Sequence, residues 1–240
     1  MQSIFRRYEK KYLITRDQHL ELEKAISSYM MPDHYGEYLV QNLYFDTESW
    51  DVIRTSIEGP AYKEKMRLRC YGNATHKSIF YLELKKKYKG VVYKRRIAIP
   101  SYLFNNRSIR ALVSKTPSQI ASELDFYLRS NDVDEKIYIA YQRHAFMGIE
   151  DGDLRITFDR NLRFRLDNLK FSNPNTAQTI LPQDKTLMEV KTLGGMPLWL
   201  AKTFSENEIF PTSFSKFGIC YSDYICKNTI SCERKVQTIA

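Results

Sequence analysis

The sequence predicts an α+β fold, with antiparallel strands forming a barrel and helices packed outside it. Three observations lead there. Apolar and polar residues alternate with period two through most of the extended segments. Seventeen tyrosines and thirteen phenylalanines exceed what a helical bundle carries and favour strands. Helix signals are few and stand between the strands rather than alternating with them.

Residues 4–14 read as extended, and Thr15 caps a helix running to about Met30, where Pro32 and Asp33 break it. Residues 38–46 form a strand. Three more cover 62–71, 78–88 and 90–99, the last two joined by a tight turn at Lys89-Gly90. A helix over 117–130 lies between Pro117 and Asn131. Strands follow at 136–148, 153–165 and 185–192. The chain closes with a helix at 197–206, after Gly194-Gly195, and another at about 214–227. Residues 1–240 are read as one domain, with the stretch after Lys227 expected to be disordered.

A chain of 240 residues, 43% hydrophobic, can bury a sizeable core. Lys+Arg 37 against Asp+Glu 28 leaves +9, which points to anionic partners: nucleic acid, a membrane surface or polyphosphorylated small molecules. No apolar run is long enough for a transmembrane helix. The start carries no signal-peptide pattern, so a cytoplasmic location is expected. Cys70, Cys220, Cys226 and Cys232 include no C-x-x-C pair and are read as reduced thiols, Cys70 on the inside of a strand. His19, His34, His76 and His144 are scattered, and none is assigned as a ligand or base.

The charges fall in a pattern. In 62–71 one strand face carries Lys63, Lys65, Arg67, Arg69 and Tyr71, against Glu64, Met66, Leu68 and Cys70. In 78–88, Tyr81, Glu83, Lys85 and Lys87 oppose Phe80, Leu82 and Leu84. Arg155, Thr157 and Asp159 oppose Leu154, Ile156 and Phe158, and Leu187, Glu189 and Lys191 oppose Met188 and Val190. A solvated outer face explains any one such strand. The recurrence of cations on several favours polar faces turned into the barrel. Same-face neighbours lie roughly 6.7 Å apart, and each like-charge pair then repels by on the order of 2.5 kcal/mol at an effective dielectric of about 20. Several pairs rival a total stability of about 5–15 kcal/mol. Such a lining calls for water and a resident anion, and a phosphate chain is the densest common one. The interspersed carboxylates Glu83 and Glu189 suit a divalent metal bridging phosphates.

Nine short pieces carry a resemblance, in order: Arg7-Tyr8-Glu9-Lys10-Lys11-Tyr12, Asn42-Leu43-Tyr44-Phe45-Asp46-Thr47, Lys65-Met66-Arg67-Leu68-Arg69, Leu82-Glu83-Leu84-Lys85, Lys94-Arg95-Arg96, Tyr141-Gln142-Arg143-His144-Ala145-Phe146, Arg155-Ile156-Thr157-Phe158-Asp159, Leu187-Met188-Glu189-Val190-Lys191 and Ser215-Lys216-Phe217-Gly218. Together they resemble the VTC domain, the polyphosphate polymerase branch of the triphosphate tunnel metalloenzyme (CYTH-like) superfamily. The resemblance implies an antiparallel eight-stranded tunnel lined with Arg and Lys. It implies catalytic roles for Arg67, Arg69, Lys85, Arg143, Arg155 and Lys191, and phosphate binding by Lys11, Lys65, Lys94, Arg96, Tyr141 and Lys216. Glu189 matches the metal-holding carboxylate, with Glu83 and Glu9 beside it, for Mn2+ or Mg2+. Where many hydrolytic relatives open with Glu-x-Glu-x-Lys, this chain has Arg7-x-Glu9-x-Lys11, a change that fits the VTC branch.

The implied reaction is transfer of the terminal phosphoryl group of ATP to a growing inorganic polyphosphate chain, carried by positioning and charge stabilisation. Arginine forks would hold equatorial oxygens and lysines would act as point charges. The nearest alternative keeps the tunnel and lets water attack, giving a tripolyphosphatase or nucleoside triphosphatase. A non-catalytic module binding polyphosphate or nucleic acid is a further alternative, nucleic acid ranking last because no RNA-binding signature is present. No SPX-type domain is expected before the tunnel and no membrane segment after it, so any sensing or translocation is expected from another protein, such as a separate membrane protein.

Overall fold

The computed structural model describes residues 8–89, 91–104, 108–171 and 176–227. Arg7, Gly90 of the expected turn, Cys232 and the stretch after Lys227 lie outside them. The strands are β1 (Tyr8–Thr15), β2 (Met30–Asp46), β3 (Tyr62–Tyr71), β4 (Ile79–Tyr88), β5 (Val91–Pro100), β6 (Asp134–Gly148), β7 (Arg155–Arg165), β8 (Gln178–Thr179), β9 (Lys185–Thr192) and β10 (Pro211–Thr212). The helices are α1 (Arg16–Ile26), α2 (Asp51–Glu58), α3 (Ile109–Val113), α4 (Gln119–Ser130), α5 (Leu198–Glu206) and α6 (Lys216–Cys220).

Hydrogen-bonded neighbours run β10-β1-β9-β7-β6-β2-β3-β4-β5, with β8 on β7. The α+β class is as expected, but the barrel is not closed: among the described residues this order is an open path ending at β10 and β5. Both ends resist further pairing. β10 is two residues long and begins with Pro211, which has no N–H to offer a ladder. β5 carries Lys94, Arg95 and Arg96, charges of the kind that blunt an edge strand.

Contacts divide the chain into two compact units. The first comprises Met1–Leu39, Tyr141–Arg163 and Leu181–Phe214. Its core takes alternate residues from three strands: Tyr12 and Ile14 of β1, Ile156 and Phe158 of β7, Met188 and Val190 of β9. Leu22 and Ile26 of α1 and Leu200 and Phe204 of α5 cover that face, with Trp199 packed against it. Thr15 starts α1 through a capping box, its Oγ1 accepting from Gln18 N at 3.2 Å while Gln18 Oε1 accepts from Thr15 N at 2.9 Å. Gln18 Nε2 also donates to Asn207 O at 2.9 Å, tying α1 to the end of α5. α1 stops at Ile26, and the chain from Met30 onward is already strand; Pro32 lies inside β2 rather than merely ending a helix.

The second unit comprises Val40–Ala140, Phe164–Ile180 and Ser215–Ala240. Met66, Leu68 and Cys70 of β3 stand opposite Leu84, Leu82 and Phe80 of β4. All six are buried, as are Leu112, Val113, Leu124 and Leu128 of α3 and α4. Burial pushes the Cys70 thiol up to about 11, consistent with an inward, unreactive side chain. Ser118 caps α4, its Oγ accepting from Ala121 N at 3.1 Å, so the helix begins just after the expected Pro117. The unexpected α2 is capped from a distance. Buried Asp46 accepts from Thr47 N (2.8 Å) and Val52 N (2.9 Å) through Oδ1 and from Ile53 N (2.9 Å) through Oδ2. The final helix splits into α6 and a wider π turn over Tyr221–Cys226.

Phe158 is fully buried at the centre of the first core. Phe158→Ala is expected to lower stability by about 3–5 kcal/mol, read by urea unfolding; a loss under about 1 kcal/mol would mean the core can close around the gap.

Candidate functional site

The residues singled out by sequence fall into two groups, one in each unit. Lys65, Arg67, Arg69, Glu83, Lys85, Lys94, Arg96 and Lys216 belong to the second. The ladder sets their geometry. Tyr44 of β2 pairs with Arg67 of β3, Arg67 with Glu83 of β4, and Glu83 with Arg96 of β5. One step along, Lys65, Lys85 and Lys94 stand directly opposite one another on three adjacent strands. The named cations number six against one carboxylate on this face: Lys65, Arg67, Arg69, Lys85, Lys94 and Arg96 with Glu83.

Glu83 is 1% exposed and holds the group together. Its Oε2 accepts from Arg67 Nε at 2.8 Å and lies 2.8 Å from Arg67 Nη2. Its Oε1 lies 2.6 Å from Lys94 Nζ, a close ion contact, and 3.7 Å from Arg96 Nη1. Burial opposes ionisation of Glu83, but the charges of Arg67, Arg69 and Lys94 prevail and hold its pKa down at about 2. Burial, with Arg67 and Arg69 nearby, lowers the pKa of Lys94 despite its contact with Glu83.

The two arginines are fixed by further partners. Arg67 Nη1 donates to Tyr44 Oη at 3.2 Å. Arg69 Nε donates to Asn42 Oδ1 at 2.8 Å, and buried Asn42 donates in turn to Ile139 O at 3.1 Å. Arg69 Nη1 reaches Tyr71 Oη at 3.4 Å, and the Arg96 guanidinium lies 4.6 Å from the centre of the Tyr81 ring. Arg67 therefore spends one edge of its fork on Glu83, an edge the sequence reading had left for phosphate. Lys216 opens α6, whose cap Ser215 accepts from Lys65 Nζ at 3.4 Å.

Glu9, Lys11, Tyr141, Arg143, Arg155, Glu189 and Lys191 belong to the first unit. Here Lys11 of β1, Glu189 of β9 and Thr157 of β7 form one cross-strand row, and Glu9, Lys191 and Arg155 the next. Glu189 is ion-paired with Lys191. Lys11 Nζ donates to Phe214 O at 2.8 Å and lies 3.9 Å from Glu9 Oε1. Arg143 makes a two-pronged pair with Asp159, Nε to Oδ1 at 2.7 Å and Nη2 to Oδ2 at 2.8 Å, and sits over the Tyr141 ring at 5.2 Å. Burial works against the charge of Arg143, but Tyr141, Asp159 and Glu189 outweigh it and raise its pKa. Arg155 pairs with Asp33, Nη2 lying 3.2 Å from Oδ2. The named groups on this face nearly balance: Lys11, Arg143, Arg155 and Lys191 against Glu9, Asp159 and Glu189.

The sequence reading assigned no role to Asn42, Tyr44, Tyr71 or Asp159, which anchor the arginines. Asn42 and Tyr44 alternate on one face of β2, a signal readable only once β2 is set beside β3. As for a divalent metal, the oxygens of Glu83 are engaged by Arg67 and Lys94, which does not suit a cation. Glu189 is engaged as well, by Lys191, but Glu9 stands diagonal to it across the β1–β9 ladder, a second carboxylate of the kind not named on the Glu83 face. Among the described residues no three His, Cys, Asp or Glu side chains gather into a metal site. A cation at Glu189 would thus draw further oxygens from elsewhere, the donor set Mg2+ commonly completes with substrate phosphates.

Glu83 makes stability depend on pH in a known direction. Its folded pKa lies below its ordinary value, so its contribution is complete above about pH 4.5 and is lost as pH falls through about 2. Glu83→Gln is expected to flatten that window in acid unfolding curves and to cost about 3–5 kcal/mol at neutral pH, because Arg67 and Lys94 lose their counter-charge. An unchanged acid profile would contradict the network.

The VTC domain family model matches residues 6–224. No curated protein sequence matches the chain. Solved structures of similar fold include HpAC1 from Hippeastrum, a proposed adenylyl cyclase with a dominant triphosphatase activity, at TM-score 0.54 and 18% identity, covering 89% of this chain and 94% of that one. A proposed adenylate cyclase from Vibrio parahaemolyticus aligns at TM-score 0.48 and 13% identity, over 92% and 100% of the two chains. PH1819 from Pyrococcus horikoshii aligns at 0.42 and 12%, over 85% and 86%. At these identities the likeness concerns the fold, and HpAC1 carries it. With nearly the whole described chain inside the family match, the protein belongs to the VTC domain family.

Proposed function

We propose that this chain is a divalent-metal-dependent phosphotransferase that moves the terminal phosphoryl group of ATP onto the end of an inorganic polyphosphate chain. The observation that carries the reading is the opposed row Lys65–Lys85–Lys94 beside Arg67, Arg69 and Arg96, with Glu83 between them. Like charges directly across a ladder destabilise a sheet. A polyanion supplies the missing negative charge, and VTC family membership supports phosphate as its chemistry.

Arg69 and Arg96, held by Asn42, Tyr71 and Tyr81, present guanidinium groups of fixed orientation to phosphate oxygens. Lys65, Lys85 and Lys94 add point charges, and Lys216 belongs with them. In the first unit Lys11, Arg143, Arg155 and Lys191 take the same role, with Tyr141 beneath Arg143. Glu189, supported by Glu9, would hold Mn2+ or Mg2+, which when bound neutralises charge on phosphate oxygens. An oxygen of the chain's terminal phosphate attacks the γ-phosphorus of ATP, the bond to the β-phosphate oxygen breaks, and ADP leaves. That oxygen is already ionised, so no general base is needed. Partners in this reading are ATP and polyphosphate, with any membrane contact through a separate protein.

Hydrolysis is the second reading, favoured by the fold shared with HpAC1, whose triphosphatase activity is dominant. Purified protein incubated with ATP and Mn2+, and in parallel with tripolyphosphate, separates the two by gel and phosphorus NMR. Long-chain polyphosphate with ADP is expected; orthophosphate alone would establish the hydrolase instead. Glu189→Gln is expected to reduce turnover roughly 100-fold or more, as for loss of a charge-stabilising group. Full metal-dependent turnover in that variant would remove Glu189 from the metal site.

A further inference from the structure

Thr157 is 3% exposed, and its Oγ1 is buried without a hydrogen-bond partner. Other threonines of the same unit are engaged: Thr186 Oγ1 lies 3.2 Å from His19 Nδ1, and Thr203 Oγ1 donates to Trp199 O at 2.9 Å. A buried hydroxyl left unpaired costs about 1–3 kcal/mol. Valine would fill the same volume, favour the strand and avoid that cost. A threonine is therefore best explained by a second arrangement in which the hydroxyl has a partner.

The ladder shows which partner is within reach. Thr157 of β7 is directly opposite Glu189 of β9. Side chains so placed have Cβ atoms about 4.5–5.5 Å apart, close enough for a hydroxyl to bond a carboxylate. In the structure Glu189 turns instead along its own strand to Lys191.

We infer that Thr157 is a positioning residue for Glu189. When a divalent cation binds, Glu189 leaves Lys191, one carboxylate oxygen accepts a hydrogen bond from Thr157 Oγ1, and the other faces the cation. Lys191 is thereby released toward a phosphate oxygen. This rests on the metal role proposed for Glu189. Groups that orient a metal ligand in this way typically contribute 10–100-fold to metal affinity.

The test is a Mn2+ titration of the full chain, free ion read by electron paramagnetic resonance, on the native protein, Thr157→Val, Thr157→Ser and Glu189→Gln, with metal-free melting curves alongside. Thr157→Val is expected to weaken Mn2+ binding about 10–100-fold, while Thr157→Ser stays near the native value. Without metal, Thr157→Val should melt at or above the native temperature, because no bond is lost. Native-like Mn2+ affinity in Thr157→Val would overturn the inference. So would a melting temperature several degrees lower, which would show that the hydroxyl already has a partner. Absence of binding to the native chain, or full binding to Glu189→Gln, would remove the metal reading itself and this inference with it.

Discussion

The structure depends on how a buried carboxylate holds cations that would otherwise repel. Glu83 and Asp159 are each 1% exposed, and each takes the inner edge of an arginine, Arg67 and Arg143. An ion pair at such depth is weak evidence for net stability, since removing both ions from water costs about what their attraction returns. Its value here is orientation. A guanidinium fixed along one edge can direct only the other, so the sheet presents cations of defined direction without a ligand to hold them. The same bonds leave a surplus of positive charge in the second unit and near balance in the first. That asymmetry follows from which residue types alternate on each strand and not from any loop.

Much of this was legible in the sequence, for a physical reason. Period-two alternation is local, and it placed Arg67, Arg69, Glu83, Lys85, Glu189 and Lys191 on polar faces without knowledge of neighbouring strands. It also placed Met188 and Val190 on the apolar face that forms the core. Register is not local. Nothing within β3 or β4 alone says that Arg67 stands opposite Glu83 rather than two residues away, so the fork appeared available for substrate when it is partly committed. The anchoring residues Asn42, Tyr44 and Asp159 were obscured for the same reason: each is recognisable as a partner only across a ladder.

The missed elements share another cause. α2 draws its cap from Asp46, five residues before its first turn, whereas the usual signal lies immediately before the helix. β2 begins at Met30 and contains Pro32 and Gly36, residues that read as punctuation in a single sequence. The closed eight-stranded barrel was inferred from family resemblance and from the direction of the polar faces. Neither determines whether the last strands bond; among the described residues the path ends at β10, which begins with a proline, and at the charged β5.

The pairing of β1 with β9 also bears on how the protein is made. Tyr8 stands opposite Thr192, so β1 finds this partner only after all the residues between them have been made. The meander of β3, β4 and β5 needs only short loops and can assemble while the chain is still growing. The Glu83 network can therefore exist on a nascent chain, whereas the row joining Lys11, Glu189 and Thr157 must wait. Folding of the first unit must wait until β9 has been made, and during that interval the apolar side of β1 must be kept from other partners.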